Sequence, residues 1–139
     1  MKAVLHDGRR WVLAFRSGES FNKEFMVFLE KESITAAMFW AIGAASKLQL
    51  GHYNPKTKAY DKKEWDGQFE VHHLNGNVAF SDGKRALHAH GTFSGDDFQA
   101  FGGHLIDLQI RPTLELHLIK LEGGLSRRLY EDIGIKGLV

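Results

Sequence analysis

Two histidines at alternate positions, His88-Ala-His90, are followed within one hairpin's length by Phe101-Gly-Gly-His104-Leu105. On a strand, residues i and i+2 point to the same face. A third histidine on a paired strand completes a trio. Three imidazoles converging from two strands are the usual protein ligands of an open zinc-type site, with a fourth position left for water or substrate. The chain has no cysteine, so a transition metal must be held by His, Asp or Glu. His88, His90 and His104 are therefore the candidate ligands of zinc or a similar divalent ion. Such an ion would polarise a carbonyl or activate water on a small carboxylated or carbonyl substrate.

Alternation determines which residues meet. Residues 84–93 and 99–109 read as strands around the turn cluster Ser94-Gly95-Asp96-Asp97-Phe98. On the first, Leu87, Ala89 and Phe93 form an apolar face, and His88, His90 and Thr92 form the other. On the second, Phe101 and Leu105 oppose Gly102 and His104. Setting both apolar sets against one core pairs Gln99 with Phe93, His104 with His88, and Gly102 with His90, the glycine leaving room for a ligand. A loop one residue shorter would turn His104 to the other face. His6, His52, His72 and His73 lack any such arrangement and read as ordinary surface or satisfied histidines. Glu115, on the polar face of a strand expected over residues 113–121, is the candidate for proton transfer or for a contact behind the ligands.

The elements that must position these groups follow from period and punctuation. Residues 10–16 alternate as a strand, and Ser17-Gly18-Glu19-Ser20 breaks it. Ser20 is the expected N-cap of a helix that carries Phe21, Phe25, Phe28 and Leu29 on one face to about Glu32. That stripe reads as core, together with Leu87 and Leu105. Residues 36–44 and 47–53 read as two strands, then a turn at residues 54–58 and strands at 60–65 and 67–74. Asn75-Gly76-Asn77 reads as a turn, and Ser81-Asp82-Gly83 as the turn that opens the histidine hairpin. Lysines 56, 58, 62 and 63 make a small basic tip, read as a solvated face. Many short antiparallel strands with one or two helices predict an α+β domain.

The 139 residues, 43% hydrophobic and 25% charged with a net charge of +1, fit one domain spanning residues 1–139 with an adequate core. No segment reads as a signal peptide or membrane span, which predicts a cytoplasmic protein without a membrane partner. Near-neutral charge argues against strong non-specific DNA binding.

The order of these motifs resembles a known family. Ala41-Ile-Gly43-Ala-Ala, Leu50-Gly-His-Tyr53-Asn-Pro55-Lys-Thr57-Lys-Ala-Tyr60, Phe69-Glu70, Leu74-Asn-Gly76-Asn77, Asp82-Gly83-Lys84, Leu87-His88-Ala-His90, Gly102-Gly103-His104-Leu105 and Thr113 to Glu115 are similar, in that order, to the plants-and-prokaryotes-conserved (PPC) domain. The resemblance spans residues 10 to about 125. It implies an α+β domain centred on an antiparallel sheet, assembled as a homotrimer and often described as a DNA-binding protein. Plant members carry AT-hooks for the DNA contact, whereas this chain has no Arg-Gly-Arg-Pro core and carries Gln68 where the plant form has Arg. The alternative to a metal-dependent protein is thus a regulatory or scaffold module acting through self-association and partners. Ile106 and Leu108, falling by alternation beside His88 and His90, point to a subunit contact on that face. The His-x-His…His order is also similar to that of acetolactate decarboxylase, which implies a metal more firmly than a reaction.

Overall fold

Apolar residues at alternate positions along most of the chain dictate sheet, and the computed structural model, which describes residues 1–139, is built almost wholly of it. The elements are β1 (Lys2–Asp7), β2 (Arg10–Arg16), α1 (Phe21–Lys31), β3 (Ala37–Asn54), β4 (Ala59–Ser81), β5 (Lys84–Ser94), β6 (Ala100–Lys120), β7 (Ser126–Tyr130) and β8 (Ile135–Leu138). The fold is α+β, an antiparallel sheet with a single helix. Only a short β4–β7 pairing is parallel. Strand order runs β1-β2-β6-β3-β4-β7-β8, while β5 bridges β4 and β6. Because β3 also pairs with both β4 and β6, strands β3, β4, β5 and β6 close on one another around the core. No helix is long and apolar enough to cross a membrane.

The helix begins where expected. The Ser20 hydroxyl accepts from the Lys23 backbone N–H and itself donates to Asp107 Oδ2 at 2.9 Å, while the Asn22 backbone N–H donates to Asp107 Oδ1. The cap thus ties the helix to β6. Phe21, Phe25, Phe28 and Leu29 are buried, and Phe25 packs edge-on against Phe39 of β3 with ring centroids 5.1 Å apart. Phe93 and Leu105 join this core. Leu87 is only half-buried at its margin.

The long strands depart from the sequence reading in instructive ways. Residues 36–44 and 47–53 are not two strands but one, β3, bent at bulges between Ala41 and Gly43 and between Ala45 and Lys47. A bulge lets a strand turn a corner without ending. Residues 60–65 and 67–74 are likewise parts of β4, and Asn75-Gly76-Asn77 is not a turn. Gly76 lies where β4 presses on its neighbours, and a Cβ there would meet the His88 carbonyl oxygen at 2.2 Å. The real reversal is at Asp82 (φ 51°) and Gly83 (φ 74°), the two left-handed residues of a type I′ hairpin turn. The strand expected to be last continues β6 from Ala100 without interruption and is followed by the β7–β8 hairpin. β1, absent from the sequence reading, covers β2.

A bulge also overturns one placement. In the β3–β6 ladder Gln49 faces Asp107 and Leu50 faces Leu105, so Ile106 is the extra residue. Beyond it the faces of β6 exchange. Leu108 and Ile110 turn into the core, buried to 2% and 0% exposure. Leu108 therefore does not lie beside the histidines.

Candidate metal centre

The β5–β6 pairing sets His90 opposite His104, Thr92 opposite Gly102 and Phe93 opposite Phe101. This register differs by two residues from the expected one, which paired His104 with His88. The tight turn at Gly95–Phe98 leaves Ala100 already paired with Ser94. A slip of two preserves the face, because side chains alternate with period two. His88, His90 and His104 consequently converge. Their ring centroids are 5.1–5.3 Å apart, and one ligating nitrogen from each lies within 4.8 Å of the others.

Close backbone approach makes room for this trio. A Cβ on Gly102 would strike the Gly91 carbonyl oxygen at 2.4 Å, and one on Gly51, directly across β3 from His104, would strike the Tyr60 ring at 2.9 Å. With glycine there, Tyr60 lies over His104 at 4.6 Å between ring centroids. His90 is exposed and opens onto a shallow cavity with Asn75, Thr92, Gly102 and Gly103. His88 and His104 line a second cavity together with Arg127, Ile135 and Lys136 of the β7–β8 hairpin.

Burial makes the charged form of these imidazoles costly. It holds His104 down to about 4, with the neighbouring His88, His90 and Arg127 adding to the effect. His88 is lowered for the same first reason, then by the Arg127 guanidinium and by His90. Both are therefore neutral at physiological pH, the only form that coordinates a metal. The Nδ1 of His104 is buried without a hydrogen-bond partner, an arrangement that costs free energy unless something supplies the missing interaction. A set of three imidazoles, one with an orphaned ring nitrogen, fits zinc or a similar borderline cation. When bound, such an ion supplies Lewis-acid polarisation or an activated water.

The other expected residues lie elsewhere. Glu115 pairs with Ile42 on β3, nine residues along that strand from the partner of His104, about 30 Å of strand path. It faces a cavity of about 490 Å³ with Ile42, Glu70, His72 and Pro112, not the trio. His72 is satisfied by Ser94 Oγ at 2.7 Å, and His6 stacks on Trp11. Three neighbours of the trio escaped the sequence reading: Asn77, Tyr60 and Arg127. Asn77 sits directly across from His88 and accepts from Arg127 Nη2 at 2.6 Å. The turn-like Asn75-Gly76-Asn77 concealed its place on a strand, and nothing local to Arg127 announces a partner fifty residues away.

The sequence model of the Plants and Prokaryotes Conserved (PCC) domain matches residues 3–122. The chain belongs to this family. Among solved structures, a PCC-like fold recurs in a metal-containing protein from Archaeoglobus fulgidus, 30% identical, with a TM-score of 0.88 and coverage of 100% of this chain and 99% of that one. A protein from Bacteroides thetaiotaomicron, provisionally named DNA-binding, is 27% identical with a TM-score of 0.93, covering 97% and 94%. Acetolactate decarboxylase from Bacillus subtilis shares the fold more distantly, at 12% identity and a TM-score of 0.59 over 91% of this chain and 58% of that one. No curated protein matches the chain. Arg127 and the hairpin that carries it fall outside the part matched by the PCC-domain model.

Proposed function

We propose that this PCC-domain protein acts as a cytoplasmic homotrimer in which each chain holds one zinc-like divalent ion on His88, His90 and His104. The observation that carries the reading is the convergence of three imidazoles, one of which, His104, has a buried ring nitrogen without a partner. The A. fulgidus relative, named metal-containing, supports it. Self-association is supported by Met38, Trp40 and Ile42, a row of large apolar side chains exposed to 54%, 41% and 54% on the outer face of β3. A row of that kind more often marks an interface than open surface. Glu115 is proposed as a polar group of the separate cavity with His72. In one chain it does not reach the metal ligands.

The test is metal content in protein purified without a histidine tag. About one zinc per chain is expected for the unaltered protein and close to none for His88→Ala or His104→Ala. His6→Ala and His72→Ala should retain the ion. Retention in His104→Ala would refute the assignment.

DNA binding is the second reading, favoured by the provisional name of the B. thetaiotaomicron relative and by the exposed lysines at the β3–β4 tip. Of these, Lys58 Nζ donates to the Glu131 carbonyl, and Lys63 lies over the Trp65 ring at 4.7 Å. The net charge of +1 leaves little to neutralise a row of phosphates.

A further inference from the structure

Three buried side-chain polar atoms in this molecule lack hydrogen-bond partners: Ser81 Oγ, His104 Nδ1 and Arg127 Nε. All three residues line one cavity of about 230 Å³, the one that His88 also faces. The space brings Arg127 beside two of the three histidines of the candidate metal centre. Its lining contains no Asp or Glu, but it does contain the Arg127 guanidinium. Arg127 spends its bonds on neutral acceptors, the Lys136 carbonyl at 3.0 Å and Asn77 Oδ1 at 2.6 Å, and joins no ion pair. The other cation of the lining, Lys136, is already paired with Asp82. A half-buried guanidinium without a counter-charge is costly, and its planar fork matches a carboxylate.

We propose that Arg127 and the ion held by His88, His90 and His104 together bind a small carboxylate that carries a second oxygen donor. The carboxylate lies against the guanidinium, and the second oxygen reaches the coordination position left open by three histidines. Ala86, Leu87 and Ile135 provide an aliphatic wall for the carbon chain. The cavity falls below the roughly 300–1,000 Å³ that holds drug-sized ligands, which restricts the occupant to a few carbons. Asn77 positions Arg127 by holding Nη2 directly across from His88. This inference rests on the metal reading.

The experiment is calorimetric titration of the full chain, loaded with zinc and with its zinc content measured, against lactate, lactamide, propionate and inorganic phosphate. Lactate is expected to bind. Lactamide, lacking the charge, and propionate, lacking the second oxygen, should each bind about ten- to a hundredfold more weakly, the range spanned by a charge-assisted hydrogen bond. Arg127→Gln, which retains a donor for Asn77, should retain zinc and weaken lactate by a similar factor. Lactamide equal to lactate, phosphate tighter than lactate, or unweakened lactate in a zinc-loaded Arg127→Gln chain would each overturn the proposal and leave the metal reading standing. A wild-type chain that takes up no zinc would overturn both. The lactate–lactamide comparison uses only unaltered protein, so it decides the matter even where Arg127→Gln fails to fold.

Discussion

At the scale of single residues, the same burial that prepares His104 as a ligand makes the metal-free protein sensitive to acid. In the unfolded chain this imidazole titrates near its ordinary value of 6.5, and in the folded chain at about 4. Between those values the unfolded chain binds the extra proton, so stability is fully present above the upper value and is lost as pH falls toward the lower one. His88 is shifted in the same direction. The thermal midpoint of chelator-treated protein should therefore fall between pH 7 and pH 5, and His104→Gln should flatten that dependence. A midpoint that is level across this range in the unaltered protein would show that the imidazole is not buried as described. The histidine trio was legible in the sequence because a shared face depends only on parity. Asn77 and Arg127 were not, since their roles depend on strand pairing between residues far apart in the chain.

At the scale of elements, the helix is held by its apolar stripe and by its cap on β6. Phe25, fully buried between Phe21, Phe28 and Phe39, should cost about 3–5 kcal/mol when replaced by alanine, as measured by urea unfolding. Ser20→Ala should cost about 1 kcal/mol for the cap alone, and somewhat more because Asp107 also loses its hydroxyl donor. A Phe25→Ala cost below that of Ser20→Ala would mean that the stripe is not the helix's main anchor. The helix and β2 could be read from the sequence almost to the residue, because period and cap agree there. The long strands could not. Bulges in β3 and β6 carry a strand past the point where its alternation breaks, so a broken pattern looks like an end. One such bulge, at Ile106, also reversed the expected placement of Leu108.

At the scale of the whole molecule, the closed circuit of β3, β4, β5 and β6 carries the histidine face, while the row Met38, Trp40 and Ile42 on β3 is left uncovered. Sedimentation at micromolar concentration should show a trimer, and Trp40→Asp together with Ile42→Asp should reduce it to monomers without unfolding. A monomeric unaltered protein would refute the trimer. In a mobility-shift titration at physiological salt, the protein should form no tight, sequence-selective complex with DNA, since few phosphates can be neutralised. Both results bear on how the protein works. The metal ion itself underlies the chemistry of the whole site. X-ray absorption at the zinc edge of the loaded, tag-free protein tests it most directly. The expected result is about three imidazole nitrogens at roughly 2.0–2.1 Å from the ion and the loss of that shell in His104→Ala. A shell of oxygens without imidazole, or a spectrum unchanged in the variant, would contradict it.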